Sequence, residues 1–215
     1  MIAEAAHELG LDGLTLRAVA EHLGVSIAAL YHHVSSKDDL MRLTAEYSVA
    51  RVPLPEDRGQ HWAVWLAEWA DYNHDAFLAR PGLLVQFLDG GIAAETIAGN
   101  VDTILRVLVR QGFDVLEANA AYELITSCAI GRAVAAIRER AAAGAGESIR
   151  DAHRRLLRER GPDELPHLRA LHQAIADHGR EPLRARITTV IRGIAAQRGL
   201  DWEPVRAELD GEPAG

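Results

Sequence analysis

From Ile2 onward the apolar residues return every three or four positions, and no stretch alternates apolar and polar residues for long enough to make a half-buried strand. That period leaves the chain one way to bury its apolar surface, helix against helix, so the sequence predicts an all-α fold. Ile2, Ala5, Ala6 and Leu9 share one face, and the Gly10 to Gly13 stretch closes that first helix. Thr15 is placed to cap a second, with Leu16, Val19, Ala20 and Leu23 inward and Gly24 after it. Ser26 opens a short third helix, 26–33, carrying Ile27, Leu30 and Tyr31. Ser35 or Ser36 opens a fourth, with Asp38 and Asp39 in the first turn, where the helix dipole favours negative charge. Pro53 and Pro55 stop it near Arg51.

Beyond the prolines the same period predicts helices over 57–80, 84–88, 92–111, 115–141, 147–160, 164–178 and 182–198. The run Ala141 to Gly146 has glycines at 144 and 146, but no strand precedes it, so it is a flexible connector rather than a phosphate loop. The tail after Glu208 is expected to fray. The division is a small three-helix head within residues 1–50 and a larger helical body over 51–208.

Charge limits what such a chain can bind. Asp plus Glu number 31 against 23 for Lys plus Arg, a net charge of -8, so any contact with nucleic acid must come from a local surface. The single Cys128 excludes an internal disulfide, and no metal-ligand spacing appears. Neither a leader pattern nor an uninterrupted apolar run of about 18 residues is present, so a cytoplasmic protein off the membrane is expected. Catalysis has little support: there is no H-E-x-x-H, His167 and His172 lie off a common face, and Cys128 has no evident histidine partner. No cofactor is expected.

Two short helices around Gly24-Val25 have the layout of a helix-turn-helix, although an ordinary αα-corner has it too. The stretch "LTLRAVAEHLGVSIAALYHHVSSKDDLM", residues 14–41, goes further. Residues 2–47 resemble the DNA-binding head of TetR-family transcriptional repressors, and "LYHHV" is nearest to the tetracycline-repressor subgroup of that family. The resemblance implies a ligand-responsive regulator, a homodimer that binds a palindromic double-stranded DNA operator and is released by a small-molecule inducer. It also gives a role to Lys37, the chain's one lysine: the family carries a phosphate-binding lysine at the start of the fourth helix. It likewise implies phosphate contact by Tyr31, whose alternative is a core ring, and by the capping Thr15. Arg17 takes a position that reaches phosphate or a guanine edge. On the recognition helix Ser26, Ile27, Ala28, Ala29, His32 and His33 face the groove, though Ser26 reads equally as a cap and Ile27 as an inward residue. One departure is the charge of the head: residues 1–50 hold Arg17, Lys37 and Arg42 against seven acidic residues, and the family's short basic arm ahead of the first helix is lacking. Either residues upstream are missing or DNA binding is weak, and the second option leaves a dimeric small-molecule-binding adaptor as the alternative.

The body carries no matching motif, so its roles rest on residue chemistry. Trp62, Trp65, Trp69, Asn73 and Phe77 line one face of the helix over 57–80, with Phe87 and Tyr122 placed to meet them. Such a stripe is either a packed aromatic core or the wall of a ligand cavity. Interleaved polar residues (Asn73, His74, Thr126) favour a cavity of about 300–1,000 Å³ for a neutral apolar or aromatic molecule, enclosed by helices 57–80, 92–111 and 115–141. Leu183, Ile187, Val190, Ile191 and Ile194 form a second stripe, which pairs with residues 115–137 across a four-helix dimer interface or packs inside the protomer.

Overall fold

The computed structural model describes residues 1–51, 53–178 and 182–211. These residues form twelve helices and no strand: α1 Ile2–Leu9, α2 Leu16–Leu23, α3 Ile27–Tyr31, α4 Lys37–Arg51, α5 Trp62–Ala79, α6 Pro81–Leu88, α7 Ala94–Arg110, α8 Val115–Gly144, α9 Ile149–Glu159, α10 Pro166–His178, α11 Leu183–Gln197 and α12 Trp202–Asp210.

The capping residues read from the sequence form the expected bonds. Thr15 Oγ1 accepts from the Ala18 N–H at 3.1 Å and Ser26 Oγ from the Ala29 N–H at 3.1 Å. Ser36 accepts from the Asp39 N–H, and the Asp39 carboxylate in turn accepts from the Ser35 N–H and hydroxyl. Asp114 and Glu117 make a reciprocal capping box at the start of α8. Elsewhere the boundaries move. Helix α5 begins at Trp62 rather than 57, with His61 as its cap, and α3 stops at Tyr31, leaving His32 and His33 in the following turn. Helix α8 runs through Ala141 to Gly144, because nothing in that alanine run breaks a helix before Gly146 at φ 109°. The sequence predicts no helix beyond 198, yet α12 forms there, burying Val205 and setting the Trp202 ring beneath Arg192; of its residues only Leu209 and Asp210 fall in the tail expected to fray.

Helix α5 is the axis of the body. Trp62, Ala63, Trp65, Leu66, Ala67, Trp69, Ala70, Asn73 and Phe77 are all buried, so the helix is covered on nearly every side. Helix α8 meets it along Ala118, Ala121, Ile125, Ala129 and Ala133, a face of small side chains that permits close approach. By length and composition α8 is apolar enough to cross a membrane, but here that composition serves its core face and a second face described below. Helices α7, α11 and α12 complete this core through Ile104, Val107, Leu108, Ile187, Ile191, Ile194 and Val205.

The stripe on α11 therefore packs inside the protomer: Ile187 and Ile191 are fully buried, and the dimer role expected of them is displaced. The outward residues of α11 include Thr189, Gly193 and Ala196 beside Arg186 and Arg192, and those of α8 include Leu116, Leu124, Ser127, Gly131 and Ala135 beside Glu123 and Arg138. Leu116 is 81% exposed and Leu124 49%. Beyond α8, the α9–α10 hairpin is fastened by one guanidinium: Arg169 donates to the carbonyls of Leu157, Arg160, Gly161 and Glu164.

The head's core does not close at residue 50. Ala5, Ala6, Leu11, Leu14, Val19, Ala20, Leu30, Val34 and Leu40 pack into one cluster with Phe77, Leu83, Leu84, Ile92 and Ala133. At the seam the Gly82 N–H donates to Asp12 at 3.0 Å, and a Cβ on Gly82 would stand 2.8 Å from that of Leu11.

The α5 cap makes a prediction. His61 Nδ1 accepts from the Ala63 N–H at 3.3 Å, which requires the neutral ring. Burial lowers its pKa, and nearby Arg198 lowers it further against the opposing pull of Glu208. With the folded value below the unfolded value of about 6.5, the unfolded chain binds the extra proton, so stability is lost as pH falls below that value. His61→Asn keeps a cap acceptor without the titration, and melting curves between about pH 7 and 5 should show a smaller acid-side loss than wild type.

Candidate functional site

Two sites emerge, an exposed helix-turn-helix face and a cavity where the head's core meets the body's. In the head, Leu30 and Val34 are buried anchors, and they turn the remaining side chains of α3 and its following turn outward. Ile27, Ala28, Tyr31 and His32 are exposed, as are Arg17 on α2 and Lys37 at the start of α4. Ile27, for which an inward position was open, points out, as does the Tyr31 ring. Thr15 and Ser26 stand at the mouths of α2 and α3 with their hydroxyls engaged in capping. Ala29 and His33 border an apolar cleft of about 430 Å³ with Met1, Ile2, Val25 and Leu43.

Charge on this face is sparse. Arg17 Nε donates to Glu21 at 2.8 Å, and Arg42 bridges Asp39 and Glu46 at 2.7 and 3.1 Å. Lys37 alone among the head's three basic side chains has no carboxylate partner among the described residues.

The cavity lies between α5, α7 and α8 and is closed by Val49 of α4, Leu54, and Leu83 and Phe87 of α6. Of the residues expected to bind a ligand, Trp69, Asn73, Phe77, Phe87, Tyr122 and Thr126 line it. Trp62, Trp65 and His74 do not. Trp62 packs edge-on to Phe113, Trp65 is fully buried and stacks on Trp69, and His74 turns to Asp75 at 2.9 Å. The reason is geometric: a helix buried on all sides points only one arc of side chains at any one neighbour. Tyr72, Ala76, Ile92, Ile97, Asn100, Val101 and Ile104 complete the lining. Asn100 was not singled out from sequence, although an asparagine one turn before the core residue Ile104 was a readable signal.

Its volume is about 80 Å³, below the expected range. Among the described residues no charged side chain lines it. Trp69 Nε1–H donates to Thr126 Oγ1 at 2.8 Å, and Asn73 donates to the Trp69 carbonyl at 2.8 Å. The Asn73 carbonyl oxygen and the Asn100 amide have no hydrogen bond among the described residues, so both are available to a ligand. Burial pushes the Tyr122 phenol above its ordinary range, with Glu123 adding to the rise and the Thr126 hydroxyl opposing it, so it is a neutral hydrogen-bonding group.

Comparison with known proteins agrees with this geometry. Residues 2–43 match the family described as bacterial regulatory proteins, tetR family. The chain is 31% identical over 201 residues to the tetracycline repressor protein class D of Escherichia coli, covering 90% of this chain and 85% of that one. Among solved structures it is similar to TetR from Acinetobacter baumannii AYE, with TM-score 0.59 and 26% identity over 92% of this chain and 96% of that one. The Streptomyces coelicolor TetR family protein ActR in complex with actinorhodin has TM-score 0.65 at 21% identity, over 92% and 96%, a likeness of fold alone.

Thr126→Val removes the acceptor of the Trp69 indole and leaves a partly buried N–H unpaired. Chemical denaturation should report a loss of about 1–3 kcal/mol, with Thr126→Ser retaining most of the stability.

Proposed function

The chain belongs to the tetR family of bacterial regulatory proteins and is a ligand-responsive transcriptional regulator, and from that premise we propose a homodimeric repressor whose two heads grip a palindromic operator. The observation that carries this reading is the helix-turn-helix, in which Leu30 and Val34 anchor α3 so that Ile27, Ala28, Tyr31 and His32 project as a block. In this reading the exposed face of α3 enters the major groove, where Ala28 and Ile27 suit thymine methyls and His32 offers one donor or acceptor. Tyr31, Thr15, Arg17 and Lys37 address the backbone, and Lys37 can do so without first releasing a carboxylate. Residues 1–50 are then the DNA-binding part and 51–208 the part that binds ligand and dimerises, acting in the cytoplasm without catalysis. The second reading, an adaptor without DNA binding, draws on the same head's excess of acidic residues.

The ligand we propose is neutral and largely apolar, held by Trp69, Phe77 and Phe87 and by hydrogen bonds to Asn73, Asn100 and Thr126. The cavity is too small for such a molecule as it stands, so entry must displace part of its wall. Leu83 belongs both to that wall and to the head's core, and Gly82 beside it bonds Asp12, so displacement of α6 is felt in the head. The ligand shifts the operator-binding arrangement only by its difference in affinity for the two states.

Dimerisation in this reading uses the outward faces of α8 and α11. Leu124→Glu or Gly193→Glu should give a monomer mass in light scattering with helical content retained, whereas a charge at the buried Ile187 should unfold the protomer.

DNA binding is tested with fragments from upstream of the protein's own gene, titrated with salt. Lys37→Ala should weaken binding to all fragments alike and lower the slope of log affinity against log salt by about one per head. Wild-type protein that binds none of them, at any salt, favours the adaptor. Gly82→Ala should push the head away from α6, cost about 1–3 kcal/mol in stability, and reduce affinity for any bound fragment.

A further inference from the structure

We infer that Glu21 restrains Arg17 and so limits the head's attraction to DNA of any sequence; the inference rests on the DNA-binding reading above. The two residues lie one turn apart on the outward face of α2, joined at 2.8 Å, and both are more than half exposed. Of the head's three basic side chains, Arg42 is bound to two carboxylates and Arg17 to one, so Arg17 is the paired cation more readily released to phosphate beside Lys37. Sequence-independent affinity grows with the number of phosphates a protein neutralises. For Arg17 to add to that number it must first give up its ion pair with Glu21. That penalty falls on every DNA site. The operator and unrelated DNA bear it alike, and only the operator adds the base contacts of α3. Glu21 is thus a positioning residue that lowers the sequence-independent part of binding, so that base contacts carry a larger share of the operator affinity in a head with few cations.

The test compares wild type, Glu21→Gln, Arg17→Ala and the double variant, as the full dimeric chain, in salt titrations. Two duplexes are used: one enriched from a random pool by the wild-type protein, and one of unrelated sequence and equal length. Glu21→Gln should bind the unrelated duplex about fivefold tighter, with a salt slope steeper by about one per head, and should gain by a similar factor on the enriched duplex. In the Arg17→Ala background the same substitution should change neither affinity nor slope. A gain of equal size in that background would show simple repulsion by the carboxylate and overturn the role assigned to Arg17. Weaker binding of the enriched duplex with no change on the unrelated one would show that Glu21 aims Arg17 at its base contact, and would also overturn the restraint. If neither wild type nor Glu21→Gln binds any duplex at low salt, the DNA-binding reading fails and this inference fails with it.

Discussion

The structure depends on how closely α5 lies against α8. Alanines on both helices, among them Ala63, Ala67 and Ala70 on one and Ala118, Ala121 and Ala129 on the other, bring the two backbones together. The volume that small residues fail to fill is taken by tryptophan from the same α5, with Trp65 and Trp69 stacked in parallel and Trp62 edge-on to Phe113. Bulky residues on either alanine face would separate the helices and leave those rings without neighbours. Helices α6, α8, α11 and α12 all pack directly on α5, and the cavity is the space that the Trp69 and Asn73 side of α5 leaves beneath α6 and α7.

That location gives the cavity its significance. It lies where the body's core gives way to the head's, with Leu83 and Phe77 counted in the head's cluster and Trp69 and Ile104 in the body's. A change in its volume therefore cannot be absorbed inside one packed unit. The contact between Gly82 and the Leu11–Asp12 turn is closer than any other residue type at that position would tolerate without a shift, so head and body meet there with no slack. The polar lining is equally economical: Thr126 satisfies the Trp69 indole, and two amides retain groups for a visitor.

The head solves a different problem. A chain of net charge -8 has to approach a polyanion through a local surface, and here that surface holds three cations, two of them already bound to carboxylates. Affinity in such a head cannot rest on charge alone, and the small exposed side chains of α3 permit the close approach that base contacts require.

The sequence by itself determined the helices, their caps and the helix-turn-helix. Those features are local: a 3.6-residue period, a serine or threonine one position before it, and a glycine after it act within a few residues. Thr15, Ser26 and Gly24 are legible for that reason, and the role of Lys37 is legible through the family resemblance. The tertiary structure alone decided which face of an apolar helix meets which neighbour. Helix α5 is apolar almost all round, so its sequence held no direction, and only the docked bundle assigns Trp69 and Asn73 to the cavity and Trp62 and Trp65 to the core. The isoleucines of α11 looked the same whether bound for the protomer or for a partner, and the packing of Ile187 and Ile191 against α5 and α8 left the small residues Thr189, Gly193 and Ala196 outside. Helix α12 is not legible in the sequence because its single buried valine leaves almost no periodic signal, and contact with α5 and α11 supplies what that pattern lacks.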